Sequence, residues 1–191
     1  ISVIEDKKCI FGAEVMAAVA EVQEELDLAS GADFLFVNDV AISEAECPDW
    51  ALSLDNLQQA AEDSNPAETS DNTIGDTALY IYTSGTTGLP KGVVHTHHTS
   101  IWGLLTIGGT AVYRDPERYL ACLPMFHVGA LTPLAVNVYM GATSVVMRSF
   151  DPVEAWRIIE REKITSGLAV PAMLNFMLQV PNYQNFDRST L

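Results

Sequence analysis

The first 76 residues carry a short alternation of helical and strand-like hydrophobic patterns, followed by a polar segment. A helix is predicted over 13–26, a buried strand over 32–37, and a short helix around Leu54–Glu62. The helix over 13–26 places five apolar residues on one face: Val15, Met16, Val19, Val22 and Leu26. The polar segment up to residue 76 is rich in Asn, Ser, Asp and Gly and reads as a linker. We predict that residues 1–76 form a partial subdomain.

After residue 76, strand-like and helical runs alternate regularly. Strands or extended segments are predicted at 78–83, 92–97, 118–123, 142–147 and 164–170, and helices at 98–108, 127–141, 152–163 and 171–179. Asp151 and Pro152 suit the cap and first residue of one helix, and Gly141 the end of another. Parallel strands need crossovers of this length. The pattern therefore predicts an α/β fold, an open and mostly parallel sheet with helices on both faces, over residues 77–191.

The charge is distributed unevenly between these two parts. Residues 1–76 contain 18 acidic and 2 basic side chains, and residues 77–191 contain 7 acidic and 8 basic ones. The first part therefore has a solvated acidic surface, and the second is nearly neutral. Because no basic stripe is available to displace counterions, nucleic acid is excluded as a partner.

Cysteine usage and hydropathy indicate the cellular setting. Cys9, Cys47 and Cys122 are widely spaced and odd in number, which argues for reduced thiols rather than a disulfide framework or zinc knuckle. No apolar run is long enough to span a bilayer, and the first residues do not resemble a secretory signal. A cytoplasmic protein without a transmembrane segment is expected.

The segment 82–92, YTSGTTGLPKG, is the most informative stretch of the chain. Glycines allow a loop to curl so that backbone N–H groups converge on an anion, and the Ser and Thr hydroxyls add further donors. Lys91 adds a positive charge, whereas Pro90 has no N–H to donate. The glycine spacing differs from the nucleoside-triphosphatase loop, and Lys91 is followed by Gly92 rather than by a hydroxyl residue. A glycine-rich hairpin turn without a ligand is the alternative.

YTSGTTGLPKG closely resembles the phosphate-loop signature of the adenylate-forming enzymes, which include acyl-CoA synthetases, luciferases and the adenylation domains of peptide synthetases. The similarity continues in LPMFHVGAL (123–131) and in the stretch 141–174, in the order in which the family carries them. Over about residues 77–176 the chain is most similar to the fatty-acyl-CoA ligases. The resemblance implies the large N-terminal domain of such an enzyme.

The resemblance implies ATP-dependent activation of a small-molecule carboxylic acid, followed by transfer of the acyl group to CoA, with Mg²⁺ required. Seven residues are then expected to bind the ATP phosphates: Thr83, Ser84, Gly85, Thr86, Thr87, Gly88 and Lys91. Ser84 and Thr87 are the expected contacts to magnesium. Lys91 is expected to contact the leaving pyrophosphate, as one of two catalytic residues. Donors and a cation placed there would stabilise the charge that develops on the leaving group.

His127 is the second catalytic residue that the resemblance implies. It matches the family's histidine near the substrate carboxylate, which it would orient or hydrogen-bond. Val128 and Gly129 are expected to bind the substrate, and Leu131 and Thr132 to line an acyl tunnel with them. A histidine that merely begins a helix is the alternative.

Three further histidines and several apolar side chains have simpler interpretations. His95 and His97 are expected on one face of a strand, but no nearby carboxylate or cysteine completes a transition-metal site with them. Helical spacing predicts four core residues near the end of the chain: Trp156, Met173, Phe176 and Met177.

The family's adenine-pocket motif, ribose-binding aspartate and C-terminal lysine are not found in the sequence. The 191 residues are therefore expected to be an internal fragment of a longer protein and inactive alone. A relative that loads a carrier protein, or that only binds nucleotide, is the alternative function. Whether the full-length protein forms a homodimer is left open by the sequence.

Overall fold

The computed structural model describes residues 8–23, 34–39, 45–61, 71–84, 88–111 and 114–191. The chain divides into two compact units, Ile1–Thr69 and Ser70–Leu191. The assignment of separate roles to residues 1–76 and 77–191 stays a prediction.

The first unit is a small parallel sheet with two short helices. Its elements are β1 (Cys9–Gly12), α1 (Met16–Gln23), β2 (Phe34–Val37), β3 (Leu52–Ser53) and α2 (Leu54–Ala60). The strands pair in the order β1-β2-β3, and both pairings are parallel. The hydrophobic pattern missed β1 and β3, which are only four and two residues long.

Aromatic side chains form the core of this unit. Phe11 and Phe36 on neighbouring strands meet edge to face with ring centroids 5.6 Å apart, and Phe11 stacks on Trp50 at 5.2 Å. Of the predicted helix face, Val19 is buried in this core, whereas Val15 is 45% exposed. Leu26 lies outside the described residues.

The second unit contains a hairpin and a parallel sheet. Its elements are β4 (Thr77–Thr83), β5 (Lys91–Thr96), α3 (His97–Thr110), β6 (Arg118–Ala121), α4 (Val128–Met140), β7 (Thr143–Val146), α5 (Pro152–Glu162), β8 (Ser166–Gly167) and α6 (Pro171–Leu178). β4 and β5 are antiparallel, and the other strands form a parallel sheet in the order β7-β6-β8. The predicted α/β class with parallel strands is confirmed, and the glycine-rich segment joins its antiparallel pair.

Helix ends follow the predicted local chemistry. The Asp151 carboxylate accepts a hydrogen bond from the Glu154 backbone N–H at 2.7 Å, and Pro152 is the first residue of α5. Gly141 ends α4 in the left-handed conformation with φ of 70°, which costs a glycine little. The strand predicted over 164–170 is reduced to Ser166–Gly167, and α6 begins at Pro171.

The core of this unit packs α5 and α6 around Trp156. The Trp156 indole N–H donates to the Met177 carbonyl at 2.9 Å, and the ring stacks on Tyr183 and Phe186. Trp156 and Met177 are buried and Met173 packs against them, as predicted. The prediction for Phe176 was wrong, since this side chain is 55% exposed. Because α6 is apolar around most of its surface, helical spacing does not show which of its faces is buried.

Glu117 joins the two edges of the parallel sheet through its carboxylate and its backbone carbonyl. Glu117, 7% exposed, accepts hydrogen bonds from the Arg114 backbone N–H at 2.8 Å and from the Ser166 hydroxyl. Its carbonyl accepts from the Thr143 backbone N–H at 3.0 Å. Burial alone would raise the pKa of Glu117, but these side-chain and backbone hydrogen bonds hold the pKa below its ordinary value. The network connects the strands on both sides of β6.

Candidate active site

The glycine-rich loop lies at the tip of the β4–β5 hairpin. Thr83 and Lys91 are the last cross-strand pair before the loop. Gly88 has a backbone φ of 99°, a conformation that residues other than glycine rarely adopt. Thr83, Ser84, Gly88 and Lys91 are exposed, and Gly85, Thr86 and Thr87 lie outside the described residues. The stem of the loop therefore presents a hydroxyl and an ammonium group side by side.

The two faces of the hairpin differ in what they carry. Side chains alternate between faces along a strand, and cross-strand partners share a face. One face therefore carries Leu79, Ile81 and Thr83 with their partners His95, Val93 and Lys91. On the opposite face, the Tyr82 ring lies over Gly92, where a Cβ atom would approach the ring to 3.4 Å.

The Thr83 face of the hairpin borders a cavity of about 190 Å³. Three elements each contribute one stripe of its wall. The stripes are Leu79, Ile81 and His95 from the hairpin, Thr99, Ser100, Gly103 and Leu104 from α3, and Val128, Leu131, Thr132 and Ala135 from α4. Thr83 lies two residues beyond Ile81 on the same face, a rise of about 7 Å along the strand. The cavity and the loop stem are thus neighbouring parts of one surface.

His127 caps α4 at the end where Val128 enters the cavity wall. Its Nδ1 accepts a hydrogen bond from the Gly129 backbone N–H at 3.0 Å, and its side chain is exposed. Because Nδ1 acts as an acceptor, the neutral ring carries its proton on Nε2. A Cβ atom at Gly129 would lie 3.2 Å from His127 Nδ1 and 3.1 Å from Leu123 Cδ1. The glycine therefore permits the histidine's position.

The charge around the hairpin is unusually sparse. Between Asp76 and Arg114 the sequence contains one charged residue of the Asp, Glu, Lys and Arg types, Lys91. An anion at the loop would meet this ammonium group without a neighbouring carboxylate in sequence to oppose it. This local excess of positive charge suits a polyanionic ligand even though the whole chain is acidic.

The predicted site residues are distributed over two places. Val128, Leu131 and Thr132 line the cavity, and the Gly129 backbone N–H donates to His127 Nδ1. Thr83 and Lys91 form the loop stem. Their roles toward a ligand stay predictions.

The three clustered histidines do not share a strand face. β5 ends at Thr96, so His97 is the first residue of α3, and the prediction that His95 and His97 lie together on a strand was wrong. The capping box between Thr96 and Thr99 begins the helix there. His95 faces the cavity, and His98 Nε2 accepts a hydrogen bond from the Trp102 indole at 2.8 Å.

The family model of the AMP-binding enzymes matches residues 7–191. The chain belongs to the AMP-binding enzyme family. The expected resemblance to adenylate-forming enzymes is therefore confirmed. The match includes the loop stem, His127 and all elements of the second unit.

Curated members of this family that are similar to the chain are acyl-CoA ligases. The long-chain-fatty-acid–CoA ligase FadD13 of Mycobacterium tuberculosis is 41% identical over 140 residues, which cover 73% of this chain and 28% of that protein. The medium/long-chain-fatty-acid–CoA ligase FadD6 of the same organism is 30% identical over 183 residues, which cover 95% of this chain and 28% of that protein. The chain thus spans about 28% of the length of these AMP-binding relatives.

Solved structures of AMP-binding enzymes have the same fold. The N-terminal domain of FACL13 from Mycobacterium tuberculosis superposes with a TM-score of 0.70 at 34% identity, covering 91% of this chain and 46% of that one. A fatty acyl CoA synthetase from the same organism gives a TM-score of 0.76 at 30% identity, covering 97% of this chain and 33% of that one. The chain therefore has the fold of part of an adenylate-forming N-terminal domain.

In the part of the chain that the structure describes, no group of three or more His, Cys, Asp or Glu side chains is placed to hold a metal ion. No helix described in the structure is long and apolar enough to cross a membrane. Carboxylates or imidazoles of these residues thus offer no ready-made metal cage.

The sequence interpretation missed most of the cavity wall. Leu79, Ile81, Gly103 and Leu104 had no assigned role, and His95 was considered only as a metal ligand. One signal was available, because Gly103 interrupts an apolar helical pattern without a turn to explain it.

Proposed function

We propose that the protein containing this chain activates a carboxylic acid with MgATP and transfers the acyl group to CoA. In the first step, a carboxylate oxygen attacks the α-phosphorus and pyrophosphate leaves with the electrons of the broken P–O bond. In the second step, the CoA thiolate attacks the acyl carbon and AMP leaves. The observation that carries the proposal is the position of Lys91 and Thr83 on the hairpin face that also borders the cavity.

The first step is difficult because an anion must approach a polyanion. Thr83, Ser84 and the loop backbone would hold the β- and γ-phosphates, and Lys91 would stabilise the charge that develops on the leaving pyrophosphate. Mg²⁺ enters as part of the nucleotide substrate and keeps phosphate and water ligands. The Ser84 hydroxyl, and Thr87 from the sequence, would supply oxygen contacts compatible with that preference.

The acid would lie between His127 and the cavity. The Nε2–H of neutral His127 would donate a hydrogen bond to the carboxylate and orient it, while the acyl group extends along the α4 stripe that begins at Val128. Because FadD13, FadD6 and a 2-succinylbenzoate–CoA ligase, all at 30% identity or more, carry the names of CoA ligases, CoA is favoured over a carrier protein as the acceptor.

The test uses the complete open reading frame that contains these residues. Exchange of labelled pyrophosphate into ATP should depend on an added carboxylic acid, and thioester formation should require CoA. The Lys91→Ala variant should lose exchange, while Lys8→Ala, a change in the other unit, should not. Absence of exchange with every acid, or full exchange in Lys91→Ala, would contradict the proposal.

A further inference from the structure

Gly103 is an unexplained glycine in the interior of a helix. It lies seven residues into α3, where glycine is destabilising relative to alanine. Its φ is not in the left-handed region, and a Cβ atom built on it would meet no atom within 4 Å. Neither a turn nor a close backbone approach therefore requires a glycine here.

The open space beside Gly103 is the cavity itself. Gly103 is half-buried and lines the cavity together with Leu104 from α3, opposite Val128 and Leu131 from α4. Gly109, in the last turn of the same helix, also meets nothing within 4 Å, but it is exposed and does not line the cavity. A side chain at position 103 would thus fill the cavity, whereas a side chain at position 109 would extend into solvent.

We infer that Gly103 determines the length of the acyl chain that the protein accepts, and that this chain is short to medium. The inference rests on the proposed function, because it places the substrate's alkyl group in this cavity. The cavity of about 190 Å³ has room for about six carbon-sized groups, at about 30 Å³ each. The mostly aliphatic wall suits an unbranched alkyl chain, and the side chains of Thr99, Ser100 and Thr132 add hydroxyls to it.

A larger residue at position 103 would take up this volume directly. Leucine adds four carbon atoms from a backbone that nothing crowds, so it would fill about two thirds of the cavity. The accepted chain should then shorten by about four carbons. Each two methylene groups excluded from the cavity should weaken binding by about tenfold.

The experiment compares Gly103→Leu with the matched variant Gly109→Leu in the complete open reading frame. Binding of butanoate, hexanoate, octanoate and decanoate is measured by calorimetry without ATP, and pyrophosphate exchange is measured with the same acids. The unsubstituted protein and Gly109→Leu should prefer hexanoate or octanoate. Gly103→Leu should keep butanoate and lose octanoate by about a hundredfold. Gly103→Ala, which favours the helix, should give a smaller shift in the same direction and covers the case in which the leucine variant fails to fold.

The outcomes separate this inference from the proposed function. If alkanoates bind in the expected order but no acid supports exchange, the proposed function is wrong and the role of Gly103 stands. If exchange occurs but the Gly103 variants keep the chain-length preference of Gly109→Leu, the role of Gly103 is wrong and the proposed function stands. A protein that binds no alkanoate, or that prefers decanoate with and without the Gly103 substitutions, also overturns the inference.

Discussion

The Gly129 backbone N–H donates a hydrogen bond to His127 Nδ1 at 3.0 Å across the first turn of α4. This contact gives His127 two tasks. Its Nδ1 satisfies a backbone donor that the helix would otherwise leave without a partner, and its Nε2 is left to face outward as a donor. The same hydrogen bond therefore fixes the tautomer of the neutral ring and the orientation in which Nε2–H would donate to a carboxylate.

Replacing His127 should separate these two tasks. His127→Ala should lose the helix cap, which lowers the free energy of unfolding by about 1 kcal/mol. It should also lose the hydrogen bond to the substrate carboxylate. That bond involves a charged partner and is worth about 1.5–3 kcal/mol, so adenylation should slow by about ten- to hundredfold. His127→Asn should keep the cap through its Oδ1, but its amide N–H donors lie nearer the backbone than His127 Nε2 and would not reach the carboxylate. Its thermal unfolding should match that of the unsubstituted protein while its pyrophosphate exchange falls like that of the alanine variant. Normal exchange in both variants would remove His127 from the site.

Replacing Gly129 should displace the His127 side chain while residue 127 itself is unchanged. In Gly129→Ala the new methyl group would press on His127 Nδ1 and on Leu123 Cδ1, at 3.2 and 3.1 Å. We expect the imidazole to be displaced and adenylation to fall by about tenfold or more, the loss of about one hydrogen bond to a charged group. Gly109→Ala meets no atom within 4 Å and serves as the control. Equal exchange rates in the two variants would show that His127 does not depend on this glycine.

Lys91 should matter for one half-reaction only. Lys91 is the cross-strand partner of Thr83, and its ammonium group would face the leaving pyrophosphate. Lys91→Ala should slow adenylation by about a hundredfold or more, as loss of a charge-stabilising donor does. Transfer of the acyl group from a supplied acyl-adenylate to CoA should change little. Lys91→Arg, which keeps the charge, should restore part of the first rate. Equal losses in both half-reactions, measured separately, would count against the assignment.

Glu117 should stabilise the second unit in a pH-dependent way. Its hydrogen bonds hold its pKa below the ordinary value, so its contribution is fully present above about pH 4.5 and is lost as the pH falls through the lowered pKa. Glu117→Gln should lower the free energy of unfolding by about 1–3 kcal/mol at neutral pH and weaken its pH dependence below that range. Glu154→Gln, which removes exposed ion pairs, should cost less than about 1 kcal/mol. Denaturant titrations at several pH values check both, and parallel pH curves for all three proteins would contradict the role given to Glu117.

The two tryptophans of the second unit should differ sharply in their effect on stability. Trp156→Phe removes a buried donor and part of a core ring, so the Met177 carbonyl is left with the longer bond of 3.3 Å from the Val180 backbone N–H. The cost should be about 1–3 kcal/mol. Trp102→Phe removes a comparable bond to His98, but Trp102 is 57% exposed, so water replaces the bond and the cost should stay within about 0.5 kcal/mol. Thermal unfolding compares them, and similar melting temperatures would argue against Trp156 as the centre of the core.

Local sequence chemistry predicted those parts of the fold that local interactions decide. Asp151 and Pro152 begin α5 where expected because a cap needs only its own turn, and Gly141 ends α4 for the same reason. Periodicity failed where a helix is apolar on all sides. The spacing of Phe176 could not reveal which face of α6 meets the core, because the opposite face is equally hydrophobic.

The candidate site shows the same division. Motif similarity selected Lys91 and His127 as candidates, and the surroundings of both residues are short segments of chain. The cavity wall was beyond reach because it depends on the register of β4 with β5 and on the packing of α3 against α4. His97 was misplaced by a single residue, since the Thr96 cap ends the strand that was predicted to extend to residue 97.

The pairing of Thr83 with Lys91 makes the stem of the hairpin sensitive to its length. Adjacent side chains along a strand point in opposite directions, so sliding β5 past β4 by one position would turn the lysine toward the Tyr82 side. A deletion or insertion within residues 84–90 is therefore harmless only if the strands keep their alignment and the loop alone absorbs the change. A shortened or lengthened loop that shifts the β4–β5 register would therefore disable the protein even though no residue of either strand has been changed.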